Sequence, residues 1–304
     1  MYILSTILNK LNISYELIVN KNNDMFDNIA PYSDFNNRSL IFFNTYSDEI
    51  INSDAAVILL DSSIINNFKL TYFDKAKSSI FIVDNVKMVV SNILSFIYPT
   101  EDACFGGIHP TAYINKDAEI HSSVSIGFNC VIGKCKIGKN SKIYSSVVIK
   151  DGSVIGNNVN IREFCLVGGT GFGFSLNENH HYIRMPHIGN VVIEDHVELY
   201  PYVNVDRATL TTTIIRKGAK IDHYSHIGHN CIIGKHSAVA AGTIFSGKSS
   251  LGDYSFVGIG TTVKEGVKIG SNCKIGMGSV ITKDTGDGWV VYGNPAKRIR
   301  RNVT

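Results

Sequence analysis

From Ile215 to Ile281 a large apolar side chain returns at every sixth residue: Ile215, Ile221, Ile227, Ile233, Val239, Phe245, Leu251, Val257, Val263, Ile269, Ile275 and Ile281. Neither the helical period nor strand alternation produces this spacing. A coil with three flat faces does. Each face takes one hexad, three hexads close a turn, and each apolar tooth points into a prism whose core is completed only by the coils stacked on it. The same teeth begin earlier, at Ile108, Ile114, Ile120, Ile126 and Ile132. Ile137 comes one residue early, and Ile143, Ile149, Ile155, Ile161 and Val167 restore the step. Gly168-Gly169-Thr170-Gly171-Phe172-Gly173-Phe174 then breaks the register. Residues 168–187 are predicted as a loop ejected from the coil, and long loops on a rigid scaffold often carry function. Ile193, Leu199 and Val205 resume before an irregular stretch at Arg207–Thr213. Glycine often follows the tooth (Gly127, Gly138, Gly156, Gly234, Gly252, Gly270, Gly276), which predicts corners that use its unusual torsions.

Residues 1–100 lack the hexad. Ile3-Leu4, Ile7-Leu8 and Leu11 form a short helical stripe. Ser39–Phe43, Ala55–Leu60 and Ser79–Val83 are apolar runs of strand length, and Val86–Tyr98 reads as a closing helix. The predicted fold is therefore mainly β. A small α/β domain over 1–100, ended by Pro99 and Thr100-Glu101-Asp102, precedes a parallel β-helix over 101–285, and a polar, basic C-terminal tail follows over 286–304.

Composition narrows the function. An apolar share of 44% and a mean hydropathy of +0.07 exclude a mainly disordered chain. No apolar run is long enough to span a bilayer, and Met1–Ser5 lacks the basic start of a signal peptide. A net charge of +3 is too small to argue for nucleic acid. Six cysteines lie scattered, at 104, 130, 135, 165, 231 and 273. Within coils a cysteine is a small buried filler, so a reduced, cytoplasmic protein without a metal is expected.

Histidine supplies a base at neutral pH. His223, His226, His229 and His236 cluster, yet His223 and His229 occupy equivalent places on successive faces and point apart, against shared chelation of a metal. His229 precedes Asn230, and Gly247 stands one full coil beyond it. Stacked coils lie about 4.8 Å apart, so a bare glycine amide belongs beside whatever His229 touches. A base that takes a proton from an attacking amine or hydroxyl, next to an N–H that holds an oxyanion at a contribution of about 3 kcal/mol, is the equipment of acyl transfer. Asp206, Asp222 and His226 are further candidates for orienting the histidine or meeting substrate. No Ser/His/Asp or Cys/His set is readable along the chain, so transfer in one ternary complex is simpler than a covalent acyl-enzyme.

With those residues in hand, the chain resembles the UDP-3-O-acylglucosamine N-acyltransferase (LpxD) family. The likeness is carried by Ser39–Phe43, Gly171-Phe172-Gly173-Phe174, Val205-Asp206-Arg207 and Ile221-Asp222 through His229-Asn230. The resemblance implies a left-handed parallel β-helix that assembles as a homotrimer with sites between subunits, and an N-terminal domain that grips uridine. It implies His229 as base and Gly247 as oxyanion donor. It also implies that Phe42 or Phe43 with Tyr46 stacks on the nucleotide base, with Asn44 as a base contact. Two departures stand out: a second family histidine falls near Gly266, and Tyr292-Gly293-Asn294-Pro295-Ala296-Lys297-Arg298 replaces C-terminal helices. That segment is similar to the tail of coenzyme A-dependent amino-sugar acetyltransferases, which implies Asn294, Lys297 and Arg298 as cofactor-binding residues, with Lys297, Arg298 and Arg300 toward the cofactor phosphates. The function expected on these grounds is transfer of an acyl group from acyl-CoA, a co-substrate and not a bound cofactor, to the amine of a UDP- or dTDP-linked amino sugar for surface polysaccharide. The alternative is the lipid A enzyme, which takes its acyl group from acyl carrier protein.

Overall fold

The structure, a computed structural model, describes residues 1–21, 24–65, 70–98 and 106–303. Contacts divide the chain into two units, Met1–Asp102 and Ala103–Thr304. The expected break at Pro99 to Asp102, and Cys104, lie outside the described residues.

The first unit is a five-stranded sheet in the order Glu16–Val19, Ser79–Val83, Val57–Asp61, Ser39–Phe43 and Asn28–Ile29. Its strands run parallel except for Glu16–Val19. Val57–Leu60 and Ser79–Val83 are buried along their whole length, which is why they read as unbroken apolar runs and not as alternation. Leu4–Lys10 and Val86–Ile97 cover one face. The longer helix starts at Asn85, whose side chain accepts from the Met88 N–H. Ile50, Ile64 and Phe73 fill the other face.

The second unit is a three-faced parallel β-solenoid. Its sheets hold ten, nine and eight strands, and the teeth pair in register from coil to coil, Ile227 with Phe245 and Ile221 with Val239 among them. The teeth from Ile126 to Ile281 form one buried column. The early tooth is absorbed at a corner, and Ile137 still pairs with both Ile120 and Ile155. Ile155 pairs directly with Ile193, so the ladder skips the ejected loop. That loop folds back on itself as a hairpin of Phe174–Leu176 and Tyr182–Arg184.

The corners differ from the expectation. The left-handed torsion falls three residues after the tooth, at Asn129, Asn140, Asn158, Asn230 and Asn272, and at Gly152, Gly218, Gly242 and Gly260. The glycines directly after the tooth serve close approach instead. A Cβ on Gly127 would lie 2.8 Å from the Ser145 amide nitrogen, and one on Gly138 would lie 2.6 Å from the Gly156 carbonyl oxygen. Buried Ser or Thr two residues before many teeth completes each corner; Ser237 and Ser255 donate to the carbonyls of Gly252 and Gly270 at 2.8 and 2.9 Å.

The polar, basic C-terminal segment folds as a hairpin. Trp289–Gly293 joins the ten-stranded sheet beside Lys274–Ile275, and Ala296–Arg301 pairs back on it. This hairpin covers the last coils, the usual requirement at a solenoid end. Among the described residues no helix is long and apolar enough to cross a membrane.

Candidate active site

His229 leaves the coil two residues after the tooth Ile227, and Gly247 occupies the same place one coil on, after Phe245. The two touch: a Cβ added at Gly247 would overlap the His229 ring at Nε2. Glycine is required there because the imidazole fills the space a side chain would take.

The tautomer of His229 follows from its neighbours. Its Nδ1 lies 3.0 Å from Oδ1 of Asn230. The same Asn230 atom faces the Thr209 backbone N–H and hydroxyl, both at 3.1 Å. A backbone N–H only donates, so the Asn230 atom there is the oxygen. Nδ1 of neutral His229 therefore carries the proton, and Nε2 presents a bare lone pair beside Gly247. Asn230 is itself held from below, its N–H on Thr213 Oγ1 (2.8 Å) and its Nδ2 on Thr211 Oγ1 (3.0 Å).

What sets the Gly247 N–H apart is the imidazole beside it. At some corners the N–H two residues after a tooth is capped by a side chain of the next coil: Lys134 by Asp151 (2.7 Å), Lys139 by Asn157 (2.9 Å), Lys235 by Asp253 (2.7 Å) and Ser271 by Asp287 (2.7 Å); at others, Asp151 and Ile259 among them, no acceptor stands within the described residues. The matching residue above Gly247 is Glu265, which turns away to Lys248 Nζ at 3.0 Å. Among the described residues nothing accepts from Gly247. An uncapped amide next to an imidazole lone pair can stabilise an oxyanion while the imidazole takes a proton.

The ejected loop closes over one side. An open recess of about 490 Å³ is lined by Phe172, Phe174, Met185, His187, His229 and Lys248, with Thr209, Leu210 and Glu265 at its edge. Phe172 is 88% exposed, and it packs edge-on to Phe174 with ring centres 4.8 Å apart. His187, which the hexad period could not place, lies edge-on against His229 at 5.0 Å.

The remaining candidates separate. Asp206 is 6% exposed. Burial pushes its carboxyl above the usual carboxylate range, while the Asn204 amide and the imidazoles of His226, His229 and His187 pull the other way. Asn204 Nδ2 donates to Asp206 Oδ1 and to His226 Nδ1, each at 2.8 Å. His226 Nε2 then carries the proton and faces Asp206 Oδ2 at 3.6 Å. Asp222 does not serve His229; its Oδ1 holds His223 Nδ1 at 2.7 Å. Burial opposes its ionisation, but bonds from His223 and the Ala241 N–H outweigh it and keep the carboxyl low. In the first unit Phe42 and Phe43 go to opposite faces of the sheet. Phe42 joins the cluster under the helices, and Phe43 lies 5.6 Å from Tyr32. Asn44 follows the strand end, and the Tyr46 hydroxyl bonds Asp48 and Tyr72. At the far end Asn294 sits in the hairpin turn and Lys297 is exposed. Arg298 lies over the Trp289 ring and donates to the Asp284 carbonyl at 3.1 Å.

Residues 134–169, 212–247 and 248–283 match the bacterial transferase hexapeptide (six repeats). Those three stretches of the solenoid carry bacterial-transferase hexapeptides. It is 34% identical over 148 residues to the UDP-3-O-acylglucosamine N-acyltransferase of Methylorubrum populi, covering 49% of this chain and 42% of that protein. It is 33% identical over 179 residues to UDP-3-O-acylglucosamine N-acyltransferase 1 of Francisella tularensis, covering 51% and 50%. The chain thus spans half or less of the length of these relatives. Among solved structures, the UDP-N-acetylglucosamine O-acyltransferase (LpxA) of Moraxella catarrhalis aligns at a TM-score of 0.59 and 26% identity over 64% of this chain and 75% of that one. LpxA of Acinetobacter baumannii aligns at 0.59 and 29% over 64% and 74%.

Proposed function

We propose that this chain is an N-acyltransferase that moves an acyl group from a thioester to the amine of a UDP-linked glucosamine derivative. The observation that carries the reading is the pairing of the His229 Nε2 lone pair, on a ring that lines the recess, with the uncapped Gly247 N–H that this ring touches. In this reading His229 removes a proton from the attacking nitrogen, and Gly247 donates to the oxygen of the tetrahedral intermediate. His229 then returns the proton to the departing sulfur. Asn230 holds the ring in the tautomer that leaves Nε2 bare. The first unit grips the nucleotide, with Phe43 and Tyr46 as stacking candidates and Asn44 as a base contact. The protein works as a cytoplasmic homotrimer.

The acceptor named for the sequence relatives, a UDP-3-O-acylglucosamine, is favoured over the other nucleotide-linked amino sugars expected from sequence. The donor is an acyl carrier protein thioester. A coenzyme A donor depends on Asn294, Lys297, Arg298 and Arg300. Arg298 is engaged on Trp289 and a backbone carbonyl, which weakens the case for that donor.

The test is to offer purified protein UDP-3-O-acylglucosamine, then other UDP- and dTDP-amino sugars, each with acyl carrier protein and acyl-CoA donors. Thiol release and amide mass are recorded. Amide formed from a carrier-protein donor and a UDP-amino sugar is expected. Absence of turnover with every pair would overturn the proposal.

A further inference from the structure

His187 lies in the returning limb of the ejected loop and is 7% exposed. Its Nδ1 stands 3.0 Å from the Met185 carbonyl oxygen. A carbonyl only accepts, so Nδ1 carries the proton and Nε2 of the neutral ring is a bare acceptor. That Nε2 is buried and has no hydrogen-bond partner. An unmet buried acceptor costs about 1–3 kcal/mol, and such groups in folded proteins call for a reason. The ring lines the recess together with His229. Gly171 and Gly173 lie close over the ring: Cβ atoms there would lie 2.8 Å from Nε2 and 2.6 Å from Cε1. The charged or titratable groups around it are His229 against its face, Asp206 within electrostatic reach, and Lys248 with Glu265 on the recess wall.

An amine acceptor makes a demand that a hydroxyl does not. At neutral pH it arrives as an ammonium, R–NH3⁺, with no lone pair to attack. The balanced reaction is R–NH3⁺ + R′CO–SX → R–NH–COR′ + HSX + H⁺. One C–N bond forms, one C–S bond breaks, and two protons leave nitrogen. The second travels through His229 to the thiolate. The first needs another acceptor.

We propose that His187 Nε2 is that acceptor: it receives the first proton of the ammonium through one water that enters beside Gly173 on the recess wall, and passes it to solvent. His187 thereby selects an amine over a hydroxyl and lets the enzyme bind the abundant protonated form. This inference rests on the N-acyltransferase reading of the same recess.

The experiment compares full-length wild type, His187→Gln and His187→Asn across pH with UDP-3-O-acylglucosamine and an acyl carrier protein thioester. Folding is checked by thermal melts. Glutamine and asparagine keep a polar side chain but take up no proton. With His187 replaced, only free amine is productive. The apparent KM for total amine should then rise about tenfold for each pH unit below the amine's own pKa and change less than about twofold above it, with kcat little altered. A structural role would depress activity equally at every pH. Variants whose ratio to wild type is independent of pH would overturn the inference. Wild type that acylates no amino sugar would overturn the parent reading instead. A second readout does not depend on the variants. In ¹⁵N-histidine wild type, the His187 Nε2 resonance should move on adding the UDP-amino sugar and stay in place with the corresponding 2-hydroxy sugar nucleotide. Equal movement with both ligands would also count against the proposal.

Discussion

Oδ1 of Asn230 receives Nδ1 of His229 at 3.0 Å and, on the same oxygen, the N–H and hydroxyl of Thr209. Three donors converging on one amide oxygen fix both the amide and the imidazole. Breaking that convergence frees His229 to adopt the tautomer that protonates Nε2, where it can no longer serve as base. Asn230→Ala should lower kcat about 10- to 100-fold with the fold intact, the usual scale for losing a partner that orients a functional histidine. Steady-state thiol release with circular dichroism checks it; an unchanged kcat would remove Asn230 from the mechanism.

Gly247 is open to a sharper substitution. A methyl group there collides with Nε2 of His229 and shields the amide. Gly247→Ala should reduce kcat about 100- to 1,000-fold, as removal of an oxyanion donor does. Gly266 provides the control: it has a left-handed φ of +73° and open space around it. Gly266→Ala should cost some stability and leave kcat unchanged. Equal kcat losses in the two variants would show that backbone strain, not the site, governs the effect.

Asp206 makes stability depend on pH. Its folded carboxyl sits above the unfolded value of about 3.9, chiefly because it is buried. The stability this group contributes is complete below the unfolded pKa, where both states are protonated, and is lost as pH rises through the folded pKa. Wild type therefore carries a burdened carboxylate at neutral pH. Asp206→Asn, which keeps the shape, should melt higher than wild type at neutral pH, with the gap closing as pH falls towards about 4. Melting curves in a buffer series measure it, and a gap that widens on acidification contradicts the assignment.

The coil thiols should be inert. Burial pushes Cys165 up to about 12 and both Cys135 and Cys231 up to about 11, so almost no thiolate exists at neutral pH. Native protein treated with a thiol reagent, digested and mapped by mass should carry no label at these positions, whereas denatured protein should be labelled at all of them. Fast native labelling of Cys231 would mean that the coil beneath His229 opens.

The solenoid was legible because its order is one-dimensional: each tooth contacts its copy one coil away, so a period in sequence becomes a column in space. For the same reason the stacking of Gly247 over His229 followed from counting. Corner chemistry was less legible. A glycine after the tooth and an asparagine three after it both look like turn residues, and only packing separates close approach at Gly127 from left-handed torsion at Asn129. His187 was not legible, since it lies where the chain leaves the period and no count connects it with His229. Nor did the period bear on Asp222, whose partner is its own neighbour His223. In the first unit, strand alternation separates Phe42 from Phe43, but the register of the pair against a nucleotide is a matter of side-chain packing that short apolar runs do not encode.

The central claim, a bare imidazole nitrogen and an uncapped amide acting together on a thioester carbonyl, is tested most directly by His229→Gln. The measurement is the rate of amide formation from UDP-3-O-acylglucosamine and an acyl carrier protein thioester, taken at saturating acceptor beside wild type of equal melting temperature. The rate should fall about 100- to 10,000-fold, the typical range for losing a general base, while nucleotide affinity stays the same. A variant that forms amide at the wild-type rate would contradict the account.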